Sequence, residues 1–491
     1  MRTNLTSNKT TQFQILSEDQ CEAIYHNILE VMQRTGVDVY HEEARKMLKE
    51  AGAHVDGVRV YIPPFMVKEA IALVPDNFIV HHWDGSDVIR LRKNEVYPGT
   101  GPSMPNYIDP YTEERRLFLR KDSADVARVC DALPNILFVE GLGSISDTTG
   151  DLADLYEFVE LITHTTKPIA AWSFNRQSCE SIYKVAVAMA GGEEEFQRKP
   201  NFMFYMEPIP PLVSNEESVD KVLFCAEKHI PAIFTPCCMG GGTEPATFAG
   251  VITNAAVESL TGLVIAQLKR RGAPFIMGGV LTVMDMLTST YIYGGPELSI
   301  MCAGITDMGK YLDIPVFSTG GCTDAKITEP QAALEGAMSN YTAVLSGGNI
   351  IHDTGYSESG LTGNLFNVVM NNEILGMAFR ITRGVEVNED SMAIDVIEQV
   401  GPQGHYLLHE HTDKTFRTEM WEPELLNRLP IEEWKNAGAK TLGDKVKEKT
   451  RYLLENHKGP EVPESARKEI ENILQEAEDR VAREKAAKQE R

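Results

Sequence analysis

Several short apolar runs in this chain end on side chains able to hold or polarise a small cation. FMFYME ends on Tyr205 and Glu207, IAAWSF ends on Trp172 and Phe174, and NIIHD ends on His352 and Asp353. Tyr97 lies in EVYPG, with Asn106 and Tyr107 a few residues on, and Tyr356 and Glu358 follow His352. Aromatic faces attract a quaternary ammonium through the ring quadrupole, by about 0.5–2 kcal/mol per ring once water is excluded. Glu207 is costly to bury without purpose. It suits balancing a substrate cation, or else pairing with an arginine. His352 suits a base, a ligand or an anchor for a substrate carboxylate. The bland alternatives are aromatic plugs and a hydrogen-bonded wall histidine.

Other chemistries fit less well. None of the eight cysteines forms a CxxC pair, and the adjacent Cys237 and Cys238 would point to opposite faces of a strand, a poor chelate. His405, His409 and His411 are spaced HxxxHxH beside Gly401-Pro402-Gln403-Gly404, which argues for irregular backbone and against a zinc site. No tightly bound metal is expected. The pairs Gly320-Gly321 and Gly347-Gly348 suit a phosphate site, so a lyase or aldolase acting on a phosphorylated substrate is the runner-up. Such an enzyme wants a strand-end lysine or a carboxylate–metal cluster. The nearest lysine, Lys326, already lies in a loop, and the sequence displays no obvious carboxylate cluster.

The elements that must position these groups recur eight times. Apolar runs at 95–99, 137–141, 169–174, 202–207, 232–236, 275–279, 316–320 and 349–353 are each followed by a helical pattern. Buried strands alternating with helices predict a (β/α)8 TIM barrel in the α/β class. An open doubly wound sheet is the rival, but it would leave edges to protect. The barrel is expected over 95–380. Before it, 1–94 reads as a small N-terminal α+β domain: a capping-box pattern begins at Ser17, and strands flank turns at Asp56-Gly57 and Asp84-Gly85. A second capping box is expected at Ser214. After the barrel, 381–491 reads as a helical extension. Barrel sites sit at the C-terminal ends of the strands. That places Gly240, Gly241, Gly278, Gly279, Gly320 and Gly321 on the same rim, where they would let a large flat ligand come close.

A formal net charge of −24 argues against nucleic acid, whose phosphates need a basic surface, and against a polybasic membrane contact. No stretch of 18 uninterrupted apolar residues is present and the N-terminus lacks a signal-peptide pattern, so no membrane association and a cytoplasmic location with reduced cysteines are expected.

Two long motifs carry a resemblance. STGGCTDAKITEPQAALEGAMSNYTAVLSGGNIIHDTGYSESGL (318–361) and GPQGHYLLHEHTDKTFRTEMW (401–421) resemble the trimethylamine:corrinoid methyltransferase family. The likeness extends over nearly the whole chain. It implies a methyltransferase of anaerobic, methylotrophic metabolism that works with a cognate corrinoid (cobalamin) protein, in an oligomer of identical chains. The founding members carry pyrrolysine in the barrel, whereas this chain has ordinary residues throughout. It therefore resembles the non-pyrrolysine branch, which demethylates quaternary amines such as glycine betaine, proline betaine, carnitine or γ-butyrobetaine. A quaternary nitrogen leaves as a neutral amine and needs no general acid, so the protein's task reduces to positioning and desolvation. On that reading Tyr97, Tyr107, Trp172, Phe174, Tyr205 and Tyr356 line the substrate site, Glu207 offsets the cation, His352 binds the substrate carboxylate, and the glycine turns receive the corrinoid. A non-catalytic amine-binding or regulatory protein is the alternative of a different class.

Overall fold

The computed structural model describes residues 13–489 apart from 76 and 93. Eight parallel strands form its centre: β1 Tyr97–Thr100, β2 at 138–139, β3 Ile169–Ala171, β4 Phe202–Met206, β5 Ala232–Phe234, β6 Phe275–Gly278, β7 Val316–Thr319 and β8 Ile350–Thr354. Seven pair continuously in the order β1-β8-β7-β6-β5-β4-β3. The short β2 closes the ring through the bridges Gly99↔Phe138 and Val139↔Ile169. Every run expected from the sequence is a barrel strand, and the open-sheet alternative is excluded by this closure.

One helix follows each strand: α1 Arg120–Ala132, α2 Ala153–His164, α3 Arg176–Ala190, α4 Glu216–Lys228, α5 Phe248–Lys269, α6 Pro296–Tyr311, α7 Pro330–Ser346 and α8 Leu365–Arg383. Proline opens α6 and α7, where the missing N–H costs nothing. Gly347 ends α7 in the left-handed region, which returns the chain to β8. Asn215, not Ser214, occupies the N-cap of α4. Helix α5 is long and apolar enough to cross a membrane, yet 78% of its most apolar window is buried inside the protein. It is hydrophobic all round because it packs between the barrel and the N-terminal helices.

The buried Lys167 fixes the approach to β3. Its ammonium donates to the carbonyls of Cys130, Leu133 and Ile136 at 2.6–2.7 Å, which ties the end of α1 to the bottom of the barrel.

The N-terminal segment is stitched into the barrel. Its strands Val37–Val39, His54–Asp56 and Arg59–Tyr61 form a sheet completed by Val213–Ser214 from the loop after β4. A hairpin of Phe78–His81 and Val88–Leu91 plugs the N-terminal end of the barrel: Val80, Ile89 and Leu91 pack against Phe138, Met203, Ile233, Ile276, Phe317 and Ile350. Beyond α8 the chain is helical, as expected. Leu442–Asn456 and Glu464–Gln489 pack on the barrel's outer helices. Between them and α8, the helices Glu389–Met392, Ile394–Val400 and Glu410–Glu419 bury no residue.

Candidate active site

Side chains alternate along a strand, so every second residue of each barrel strand faces the interior. Phe138, Met203, Tyr205, Ile233, Ile276, Phe317 and Ile350 fill it. Continuing the same period upward brings Glu140, Trp172, Glu207, Cys237 and His352 to the C-terminal mouth. Glu207 is ringed by protein yet its side chain is exposed, so it lines an open recess. Cys237 and Trp172 are half-buried in the same way.

Four carboxyl groups gather here: Glu140, Glu157, Glu207 and Asp353. Both carboxylate oxygens of Glu140 and of Asp353 are buried without a hydrogen-bond partner, as is Oε2 of Glu157. Among the described residues none of the four shares an ion pair with an arginine or a lysine. Desolvation, reinforced by the neighbouring acids, pushes Glu140 far above the usual carboxylate range. Burial lifts Glu157 to about 8, although the Trp172 indole N–H donates to its Oε1 at 2.9 Å. Burial also raises Glu207, against the donated Tyr205 hydroxyl, which steadies the carboxylate. Asp353 has φ +75°, a left-handed conformation that costs a non-glycine residue about 1–3 kcal/mol. Gly101 admits it: a Cβ there would lie 2.4 Å from both Asp353 Oδ1 and the Tyr356 ring.

His352 stacks on Phe317 at 4.0 Å and its Nε2 lies 3.2 Å from the Thr319 hydroxyl. Its Nδ1 lies 2.8 Å from Asp353 Oδ1 and 3.8 Å from Glu140 Oε2, in neither case with hydrogen-bond geometry. At 1% exposure it forms part of the wall of the recess, beside the acids.

The aromatic expectations divide. Trp172 and Phe174 meet edge to face at 4.9 Å, with Phe174 41% exposed at the rim. Tyr205 and Tyr356 belong to the site, and the Tyr356 hydroxyl donates to the Pro102 carbonyl. Tyr97 does not. It opens β1 at the opposite end of the barrel, where its hydroxyl donates to Glu95 and accepts from the Arg90 N–H, both at 3.0 Å. Nor does Tyr107, which is fully buried against Phe118 under the Arg116 guanidinium.

Two other tyrosines take part. Tyr291 accepts from the Cys237 thiol at 3.3 Å, and Tyr293 packs edge-on against Tyr356 at 5.6 Å. They come from the loop after β6, which the sequence presents as YIYGG with no apolar run to mark it. Asp353 was named from its place at a strand end, and Glu140 was within reach of the same rule. Glu157, on α2, was not.

The glycines of the rim serve the protein itself. A Cβ at Gly278 would lie 2.1 Å from the Phe317 carbonyl oxygen, one at Gly279 3.0 Å from that of Pro236, and one at Gly320 2.9 Å from Ile351. Gly240, Gly241 and Gly321 would meet Val251, Met286 and Thr354. Close approach of neighbouring strands accounts for Gly278, Gly279, Gly320 and Gly321, whereas Gly240 packs on α5 and Gly241 meets only the end of the exposed Met286 side chain. The face around the mouth instead exposes apolar side chains: Phe174, Ile209, Met286, Leu287 and Leu361. Lys326 is exposed in its loop and donates to the Asp324 carbonyl. The expected irregular run at His405–His411 is in part a helix: His409 caps Glu410–Glu419 by accepting from the His411 N–H at 3.1 Å.

The model of the family described as trimethylamine methyltransferase (MTTB) matches residues 2–482. The chain belongs to this family. It is a methyltransferase. The trimethylamine methyltransferase of Desulfitobacterium hafniense is 30% identical over 468 residues, which is 94% of each chain. The glycine betaine methyltransferase of another strain of that species is 26% identical, covering 86% of this chain and 88% of its own. Among solved structures, the monomethylamine methyltransferase of Methanosarcina barkeri superposes with a TM-score of 0.53 at 13% identity, over 93% of this chain and 92% of that one. That likeness concerns the fold. Family membership sets aside the lyase and the non-catalytic readings.

Proposed function

We propose that this methyltransferase takes a methyl group from a quaternary amine and passes it to the corrinoid of a separate protein docked over the barrel mouth. The observation that carries the reading is the set of buried, unpartnered carboxylate oxygens on Glu140, Glu157 and Asp353, gathered beside Trp172, Tyr205, Tyr293 and Tyr356. Uncompensated buried carboxyls are expensive, and a permanent cation relieves them without needing a hydrogen-bond donor. A phosphorylated substrate would be repelled by the same groups. The names of the relatives, acting on trimethylamine or glycine betaine, agree with a methylated ammonium head.

The partner's corrinoid would supply the nucleophile that accepts the methyl group. The residues of this chain bind the ammonium head, orient one N-methyl toward the mouth and exclude water; no proton has to move to the leaving amine. The exposed Phe174, Ile209, Met286, Leu287 and Leu361 give the partner an apolar ring to cover, which suits a large flat macrocycle and its protein. Where the amine carries an acid group, the group to receive it is Lys221. It lies within electrostatic reach of Glu207, its ammonium on the Ser173 carbonyl at 2.8 Å. The uncovered helices after α8 and the turn between them expose Ile394, Leu407 and Leu408 by 65, 80 and 87%, and a second copy of the chain is their proposed cover.

The test is methylation of cob(I)alamin, or of a co-encoded corrinoid protein, across a panel of quaternary and tertiary amines. Turnover confined to quaternary amines is expected; turnover of trimethylamine alone would refute the substrate class. Lys221→Met should raise KM for betaines and leave that for choline unchanged.

A further inference from the structure

Adjacent residues on a strand face opposite ways, and the pair Cys237–Cys238 does so with consequence. Cys237 faces the recess. Cys238, fully buried, faces away from it, toward the following turn and helix α5. There it meets Glu244 and Glu258. One ligand-type atom from each of the three lies within 4.8 Å of the other two. Glu244 is 5% exposed and Glu258 1%.

The two carboxylates are used alike. Each has one oxygen held by the protein: Asn254 Nδ2 donates to Glu244 Oε2, and the Leu212 N–H donates to Glu258 Oε1. The second oxygen of Glu258, Oε2, is buried with no hydrogen-bond partner, and that of Glu244, Oε1, has none beyond the Cys238 thiol beside it. Two carboxyls and a thiol packed together are costly to desolvate as charges unless a proton or a cation neutralises them. No such group belongs to the methyl-transfer site, which lies on the other face of the strand.

We propose that Cys238, Glu244 and Glu258 form a structural site for a divalent transition-metal ion of the zinc class. A thiolate selects against magnesium and calcium, and one sulfur with two carboxylate oxygens is a donor set that zinc accepts. Binding would displace the thiol and carboxyl protons. The ion would tie the Cys237–Gly240 strand to α5. Through Glu258 and Leu212 it would also steady the loop that begins at Glu207.

The test uses tag-free full-length protein dialysed against a weak chelator, then analysed for metal by mass spectrometry and titrated with cobalt(II). About one equivalent of metal per chain is expected, with a thiolate-to-cobalt charge-transfer band in the near ultraviolet. Cys238→Ser should abolish the band, and Glu244→Gln with Glu258→Gln should abolish retention. Zinc should raise the Tm of the wild type and leave that of the variants unmoved. Folded wild-type protein that retains no metal and gives no cobalt band overturns the proposal. So does binding that survives both sets of substitutions, which would place the ion elsewhere, for example at the surface histidines 405, 409 and 411. Circular dichroism monitors folding of the variants, and the wild-type spectrum decides the matter even if they do not fold.

Discussion

Changing Glu207 to Gln measures what one carboxylate of the recess contributes to holding a cation. The side chain is open to the recess, so the isosteric amide leaves the packing unchanged. A full unit charge about 4 Å from an ammonium, at an effective dielectric near 20, is worth about 4 kcal/mol. Glu207 carries less than that, because burial, and to a smaller degree the charge of the nearby Asp353, raises it. A loss of about 1.5–3 kcal/mol follows, or roughly 10- to 150-fold in Kd. Calorimetry with choline, or with the best quaternary amine of the panel, gives this directly. The control is the neutral isostere bearing a tert-butyl group in place of trimethylammonium. Its affinity should change less than about twofold, since it has no charge to lose. An equal loss for both ligands would mean that Glu207 shapes the recess without acting through charge, and the electrostatic argument would fall.

Trp172→Ala removes an aromatic face and the indole donor to Glu157, so KM should rise about tenfold, while Trp172→Phe retains most of the affinity; equal effects would dismiss the cage. Because Glu140, Glu157 and Glu207 are all raised by burial, affinity for a quaternary amine should strengthen from pH 6 to pH 9 and binding should release protons below pH 8; a flat profile contradicts this. Stability runs the other way. Glu157 holds its proton in the folded state up to about 8 and in the unfolded chain only to its ordinary value of 4.5, so its contribution is full at low pH and is lost as pH rises between those values; Glu157→Gln should flatten that part of the Tm profile. Lys167→Met strands three buried carbonyls and should cost about 2–4 kcal/mol in urea unfolding; a loss below about 1 kcal/mol would show that water replaces the ammonium.

The barrel was legible because a strand buried on both faces leaves a short apolar run, and eight such runs recur, each followed by a helical pattern. Glu207 and His352 were found from their place at strand ends. Glu140 was missed, although Phe138 two residues earlier sets the inward period, because a single acid in FVEG looks like the end of a strand and not the floor of a site. Tyr97 was misplaced because its run was read without its polarity: β1 begins at Tyr97, so the ring lies at the plugged end. Glu157 reaches the recess from α2 across the Trp172 indole, a contact that exists only once the barrel has closed. The glycines gave a true signal of close approach, and at Gly278, Gly279, Gly320 and Gly321 what approaches is the neighbouring strand.

The hairpin that stops the lower end of the barrel makes the recess a cup with one opening. On the proposed reading, the amine and the partner protein share that opening, and the partner acts as its lid. Traffic must then be ordered: amine enters first, the partner settles, the methyl group passes, the partner leaves, and only then can the demethylated product escape. A partner present in large excess would settle on empty cups and on cups still holding product. The rate should therefore climb with partner concentration, pass through a maximum and decline, with the decline relieved by raising the amine.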